Sequence, residues 1–188
     1  MFSEKVKMAD ICEASVTRGA GHKEEQSISG YYVVECHSPE GQLKWKDDIH
    51  NVVTTVGLNL TMDTILGNSA AGAIVMGLKG TGTAIAADTQ GSHVSWNEVG
   101  LNNAPTYSGN RKTPSFSAAS AGSKTTSAPV IFSMTGSGTV AGCFINIGGS
   151  ATIDNTSGTL FSAGDFTAGS KTVSSGDTLS VTYTATAS

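Results

Sequence analysis

The side chains that could serve a nucleophilic or metal-dependent reaction are few: His22, His37, His50, His93, Cys12, Cys36 and Cys143. None of the histidines or cysteines lies in a recognisable nucleophile motif, and the G-x-S-x-G turn does not occur. Cys36 and His37 are adjacent, so they point to opposite faces of a strand and make poor co-ligands of a metal. The sequence therefore predicts no catalytic residue and no enzymatic activity.

The acidic and glycine-rich segments do not match a known ion or phosphate motif. Asp154, Asp165 and Asp177 are too far apart along the chain to form a calcium-binding loop. A structural calcium ion is the remaining metal hypothesis. Lys79-Gly80-Thr81-Gly82 lacks the Lys-Ser/Thr that ends a phosphate-binding loop, and it predicts a turn. We therefore expect no cofactor and no metal.

Three aromatic residues, Trp45, Trp96 and Tyr107, could form a platform on which a sugar stacks. Packing in the core or against another subunit is the simpler interpretation of the same residues. A carbohydrate-binding or adhesive function requires that this platform be exposed.

Charge is distributed unevenly along the 188 residues. Residues 1–50 hold 15 of the 26 charged side chains, and the remaining 138 residues hold only 11. The net charge of -4, without clustered Lys or Arg, argues against a nucleic-acid partner. A body with so few charges favours a subunit that is packed into an assembly.

The sequence also bears on the compartment. No segment approaches the roughly 20 apolar residues that cross a bilayer, so we expect no membrane association. The first 15 residues lack the continuous apolar core of a signal peptide, and the odd number of widely spaced cysteines does not indicate a disulfide framework. Cys36 and Cys143 lie in apolar runs and are expected to be buried free thiols. From these features we expect the chain to fold in a reducing cytosol.

The segment Asn51–Gly67 is the one convincing helix in the sequence. Its apolar residues recur at helical spacing, Thr54 or Thr55 can cap its start, and Gly67 suits the left-handed residue that ends a helix. The pattern predicts a helix at about residues 55–66. Because apolar residues lie on more than one face, we expect it to be a buried plug that closes one end or side of a sheet structure.

The other elements are predicted to be strands. Residues 31–53 indicate a hairpin with a turn at Ser38–Gly41, and the chain from residue 130 alternates short strands with Gly-rich turns. Further strands are predicted at residues 73–80, 94–99, 130–135, 139–147, 160–161, 171–174 and 178–187, with an edge strand or bulge at 111–117 and one helical turn at 86–89. The prediction is a mainly β fold, an antiparallel β-sandwich of jelly-roll or immunoglobulin-like type over residues 30–188.

Residues 1–29 mix charged, glycine and small polar residues without a sustained period, which is typical of an extended N-terminal arm. Such an arm could span up to about 95 Å when fully extended. Isolated apolar residues are spaced along it and could anchor it to a partner surface: Phe2, Val6, Met8, Ile11, Val16 and Ile28.

Several segments occur in an order that resembles a known class of proteins. These segments are GQLKWKDDIHNVVTTVGLNLTMDTIL, IVMGLKGTGTAIAADTQGSHVSWNEV, RKTPSFS, FSMTGSGTVAGCFI and GTLFSAGDFTAGSKTVSSGDTLSVTYTAT. Over residues 30–187 the chain resembles the small structural proteins that tailed bacteriophages encode among their head and tail genes. The resemblance implies a virion component without enzymatic activity.

Within that class, the arm and the sandwich favour a capsid decoration or cement protein. Such a protein would be assembled in the host cytoplasm and reside on the capsid surface. Its partners would be the major capsid protein and copies of itself, so a homo-oligomer is expected. A tail, neck or fibre-attachment component is the first alternative, and a carbohydrate-binding or adhesive sandwich is the second.

Overall fold

A computed structural model describes residues 27–187, which form twelve β-strands and one α-helix. Their bounds are β1 Ile28–His37, β2 Leu43–His50, β3 Val52–Val53, α1 Thr55–Ile65, β4 Ile74–Lys79, β5 Glu98–Val99, β6 Ser123–Thr125, β7 Val130–Ser133, β8 Gly138–Val140, β9 Gly142–Ile147, β10 Thr159–Asp165, β11 Lys171–Val173 and β12 Thr178–Ala187. The predicted mainly β fold with one helix is confirmed.

The strands form two five-stranded antiparallel sheets and a two-stranded ribbon. In the first sheet the order is β2-β1-β12, and the far edge of β12 pairs with both β6 and β7. The second sheet has the order β3-β10-β9-β4-β5, and β11 pairs with β8. Side chains from both large sheets share one core, which is consistent with the predicted antiparallel β-sandwich.

Strand β12 illustrates how the sequence builds this core. Leu179, Val181 and Tyr183 are buried, while the intervening Ser180 and Thr182 are partly exposed, as the two-residue period of a strand requires. The β1 partner supplies Tyr32, Val34 and Cys36 to the same core, and the second sheet supplies Met76, Leu78, Cys143 and Ile145.

The predicted hairpin is confirmed as β1 and β2, but it ends at His50 and not at residue 53, because Val52–Val53 form β3 and pair with β10 in the second sheet. Gly41 N donates to Ser38 O at 2.9 Å, and Gly41 has φ of 79°, a conformation that glycine adopts without a steric cost. Strand β1 begins earlier than predicted, because Ile28 pairs with Ala187. Ile28 therefore lies in the sheet, whereas the sequence assigned it to the arm.

Helix α1 has the predicted bounds, but its environment differs from the prediction. Thr54 Oγ1 accepts a hydrogen bond from Gly57 N at 3.0 Å, and Gly67 has φ of 79° just beyond the helix. Gly57 is the only buried residue of α1, and Leu60 is half-buried. The helix lies against β10 and presents much of its apolar surface to solvent, so the expectation of a buried plug is wrong.

The loops are where the strand predictions fail. The strand predicted at 94–99 shrinks to Glu98–Val99, because Trp96 N bonds to His93 O in a turn and Val94 faces solvent. The run 139–147 is divided at Ala141, where the chain passes from β8 in the ribbon to β9 in the second sheet.

Two further segments differ from their predictions. Residues 86–87 form a turn, and no helical turn is present there. Residues 111–117 contribute single bridges at Lys112 and Phe116, not a strand. The short strand β6 was not predicted, because its residues, Ser123–Thr125, carry no apolar alternation.

Candidate functional site

The position of helix α1 is set by its capping threonine and by one glycine. Thr54 Oγ1 donates to Leu160 O while it accepts from Gly57 N, so the helix start is tied to β10. A Cβ atom on Gly57 would lie 2.4 Å from Phe161 O, which means that only glycine allows this close approach. The helix therefore faces β10 with its Gly57 side and turns another side away from the sheet.

The side that is turned away is apolar. Leu58, Met62, Ile65 and Leu66 are 41%, 55%, 70% and 74% exposed. A contiguous group of exposed large apolar residues on a soluble protein marks a contact surface more often than a chance patch. The spacing of these four residues in the sequence places them on the same side of the helix. The spacing alone could not show that this side is exposed.

An apolar groove of about 600 Å³ runs along this face of the helix. The helix contributes Leu58, Thr61, Met62 and Ile65 to one wall. The opposite wall consists of Ser27, Ile28, Val53 and Ala187, where the described chain begins and ends. No lining residue carries a charge, so among the described residues this groove suits an apolar peptide segment or side chain.

The predicted arm anchors can be compared with this groove only in part. Phe2, Val6, Met8, Ile11 and Val16 lie outside the described residues. Ile28 forms part of the groove wall, beside the helix residues that the sequence did not assign to a binding site. The exposed apolar side of α1 is the candidate functional surface that sequence reasoning missed.

A second concavity, of about 310 Å³, lies among the loops near Trp96. Its walls include Gln90, His93, Asp154 and Asn155, and none of the lining residues that the structure describes is Lys or Arg. Gln90 is 2% exposed, and its Oε1 has no hydrogen-bond partner within residues 27–187. A buried amide oxygen without a partner is unusual, because it incurs a desolvation penalty that a bound hydroxyl or water would relieve.

Glu98, which lines this polar pocket, forms a buried ion pair with Arg111. Arg111 Nε and Nη2 donate to the two carboxylate oxygens of Glu98 at 2.8 and 2.6 Å, and both side chains are almost fully buried. Arg111 also donates to Ser150 O and Asn155 O, at 3.0 and 2.8 Å, and Asp154 N donates to Glu98 Oε2 at 2.8 Å. These bonds join β5 and the loop that carries Arg111 to the loop of residues 148–158, which indicates a structural role for the pair.

Among the described residues, the cysteines and histidines are not combined into a reactive cluster. Burial raises the pKa of Cys36 to about 12, with a further contribution from Asp177, and burial also raises the pKa of Cys143. Both thiols are therefore protonated and weakly nucleophilic near neutral pH, as expected of buried free cysteines. His93 stacks on Trp96 with ring centroids 3.9 Å apart, whereas His37 lies 3.9 Å from Glu35.

The three aromatic residues do not form a shared sugar platform. Trp96 is 5% exposed and donates its indole N–H to Asp88 at 2.9 Å. Tyr107 is buried against Phe132, and half-buried Trp45 donates to Thr172 O at 3.1 Å. The exposed platform considered from the sequence is therefore wrong.

The three aspartates are engaged separately. Asp154 accepts from Asn102 Nδ2 at 2.6 Å, Asp165 pairs with buried Lys79, and Asp177 accepts from Lys44 Nζ at 2.5 Å. Within residues 27–187 no group of three or more His, Cys, Asp or Glu side chains is placed to hold a metal ion. In that same part of the chain, the helix is too short and too polar to cross a membrane.

Comparison with known proteins adds no relative to this description. No protein-family model, curated protein or solved structure matches the chain.

Proposed function

We propose that this protein is a non-enzymatic virion structural protein that decorates and stabilises a capsid by bridging capsid subunits. The proposal combines two independent supports, the resemblance of residues 30–187 to small head and tail proteins of tailed bacteriophages and the apolar surface of α1. Its partners are then the major capsid protein and copies of itself, and its location is the capsid surface after assembly in the host cytoplasm.

The exposed face of α1 is the observation that carries the proposal. Leu58, Met62 and Ile65 line an uncharged groove that a solitary soluble protein would leave in water. Covering this surface removes apolar area from water and favours association. A decoration protein repeats such a contact around the whole shell, so that a modest affinity at each copy is multiplied by avidity.

Strand β2 offers a second attachment surface. It forms one edge of the first sheet. Its Asp48–Ile49 end is already paired with Phe166 and Thr167, whereas its other end exposes Leu43, which is 56% accessible. The free edge of a strand can pair with a strand of another chain by backbone hydrogen bonds. Lys44 and Lys46 flank Trp45 on this strand, which limits uncontrolled pairing, as charged residues do on natural edges.

Copy number on purified particles tests the proposal directly. A decoration protein covers the shell and must be present at a copy number comparable to that of the major capsid protein. A tail, neck or fibre-attachment component would instead be present as a single ring of subunits. A stained gel with densitometry of purified virions, together with a particle image, distinguishes the two. Ring-level copy number would refute decoration, and absence from every particle would refute both.

The polar pocket favours a second candidate function, binding of a neutral saccharide through hydrogen bonds alone and not through the exposed aromatic platform, which is not formed. Its unpartnered Gln90 Oε1 accepts hydrogen bonds, and in the neutral His93 ring, whose Nδ1 lies 2.9 Å from Trp96 O, Nε2 is free to accept as well. Hydroxyl groups satisfy such acceptors, and the absence of Lys and Arg from the lining disfavours phosphate esters.

Tryptophan fluorescence provides the test, because Trp96 lines the pocket. Titration with a panel of neutral sugars at millimolar concentration should change the emission of the natural protein and not that of a Gln90→Leu variant. An unchanged emission for every sugar would remove this candidate.

A further inference from the structure

We propose that the groove beside α1 is occupied by apolar side chains from the protein's own N-terminal segment, residues 1–26. The inference deepens the proposed function and rests on it for the role of the contact, which is to join copies on the shell. Three observations carry it: where the segment enters the fold, how its apolar residues are distributed, and the absence of charge in the groove.

The N-terminal segment enters the fold at the groove itself. Ser27 and Ile28 form part of the wall, and the 26 preceding residues must leave from that point. A tethered segment has a high effective concentration at a site next to its attachment point, so weak contacts suffice to fill the site. No other stretch of comparable length lies outside the described residues.

The residue types of the segment match the groove. Apart from Met1, its large aliphatic and aromatic residues are Phe2, Val6, Met8, Ile11 and Val16, all within residues 1–16. Residues 17–26, TRGAGHKEEQ, form a polar spacer that can extend up to roughly 33 Å. A spacer of that length allows the apolar residues to reach the groove and leaves its own charges in water.

The groove accepts such residues and offers nothing to a charged ligand. The described lining residues combine Leu58, Met62 and Ile65 with Ile28 and Val53 across the gap, and each of them is uncharged. The unbranched side chain of Met62 adapts to apolar side chains of different shapes. The spacer permits the segment to fill the groove of its own molecule or that of a neighbouring copy, and the second arrangement links subunits.

The natural Cys12 allows the contact to be trapped in the full-length protein. In a Met62→Cys variant under mild oxidation, we expect a disulfide between Cys12 and the new cysteine. Cys36 and Cys143 are buried and should not compete. Val94→Cys is the matched control, because Val94 is 97% exposed but lies in the loops that line the polar pocket. Peptide mapping identifies the bond between Cys12 and position 62, and migration on a non-reducing gel reports whether that bond joins one chain or two; either result supports occupancy by the segment.

Alkylation provides an independent measurement that does not depend on a particular pairing. In a Met62→Cys, Cys12→Ser protein, replacing Phe2, Val6, Met8 and Ile11 by serine should accelerate alkylation at position 62 on the order of tenfold. The same serine changes should leave alkylation of a Val94→Cys, Cys12→Ser protein unchanged. Circular dichroism confirms that each variant is folded.

Two results together would overturn the inference: equal alkylation rates at position 62 with and without the apolar segment residues, and no more Cys12 disulfide in Met62→Cys than in Val94→Cys. A groove that is protected only by contacts between helices of two copies would produce that outcome. These measurements use purified protein in solution, so their failure is separable from failure of the decoration proposal, which is judged by copy number on particles.

Discussion

Two regions of the molecule depart from the usual distribution of side chains in opposite ways. The loop region around Arg111 buries charged side chains, whereas the groove beside α1 exposes apolar ones. Arg111 and Glu98 are charged, yet they are buried and bonded to each other and to the loop of residues 148–158. Met62 and Ile65 are apolar, yet they are more than half exposed. The ion pair finds its hydrogen-bond partners within one chain, whereas the helix face leaves apolar surface exposed to solvent. This difference indicates that the ion pair stabilises the fold, and it is the basis of our proposal that the helix face serves contacts.

The largest effect is expected from breaking the buried ion pair. An Arg111→Met change retains much of the side-chain volume but leaves the Glu98 carboxylate buried without its partner. Loss of one member of a buried pair typically costs about 3–5 kcal/mol, and we expect a reduction of that size in the free energy of unfolding. Urea denaturation measures it. The control is Lys46→Ala, which breaks the exposed Glu35–Lys46 pair and should change stability far less. A loss of less than 1 kcal/mol for Arg111→Met would show that the loops do not depend on the pair.

A smaller effect is expected where the helix meets the sheet. In a Gly57→Ala variant, the new Cβ would lie 2.4 Å from Phe161 O, so helix and strand must separate. The cost should be about 1–3 kcal/mol, despite the higher helix propensity of alanine. Asn59→Ala, at an exposed position of the same helix, is the control and should change stability by less than about 0.5 kcal/mol. An increase in stability for Gly57→Ala would mean that the helix does not pack closely on β10.

Acid should weaken the fold through Asp177. Burial opposes ionisation of this carboxyl, but hydrogen bonds from Lys44 Nζ and Ser174 N outweigh it and lower the pKa of Asp177 below its usual value. A lowered folded-state pKa contributes stability above the unfolded pKa of about 3.9, and that contribution is lost as the pH falls through the folded pKa. We expect the decline in stability below pH about 4 to be shallower in Asp177→Asn than in the natural protein. Thermal unfolding between pH 7 and pH 2, roughly, measures it. Parallel pH profiles would show that other carboxyls cause the acid sensitivity.

The smallest effect on stability is expected at the helix face itself. Ile65 is 70% exposed, so Ile65→Lys should change the free energy of unfolding by less than about 0.5 kcal/mol. Leu160→Lys is the contrasting change, because Leu160 is fully buried in β10 and should not tolerate a charge. Chemical denaturation of both variants provides the comparison. Severe destabilisation by Ile65→Lys would mean that this face is part of the core of an obligate assembly.

Much of the framework could be predicted from local sequence. The hairpin of β1 and β2 follows from alternating residues around Ser38–Gly41, and β12 follows from the alternation of Leu179, Val181 and Tyr183. The bounds of α1 follow from its threonine cap and Gly67. In each of these elements, the residues that determine the structure are close together in the sequence.

The remaining features depend on residues that are distant in the sequence. The loops between β4 and β7 are held by contacts such as Arg111 to Glu98 and Trp96 to Asp88, which no local pattern indicates. The exposed face of α1 depends on the approach of Phe161 O to Gly57, over a hundred residues away. Periodicity shows that a helix has an apolar line, but it does not show whether that line is covered.

The role of the groove in attachment is tested most directly by binding of the purified protein to capsids that lack it. If the groove beside α1 takes part in attachment, a Met62→Lys, Ile65→Lys variant that unfolds like the natural protein should bind at least roughly tenfold more weakly. The reason is that a charge in the groove excludes its apolar occupant. A Val94→Lys variant should bind normally. Equal binding by the folded groove variant and the natural protein would contradict the account, since the exposed helix face would then have no part in assembly.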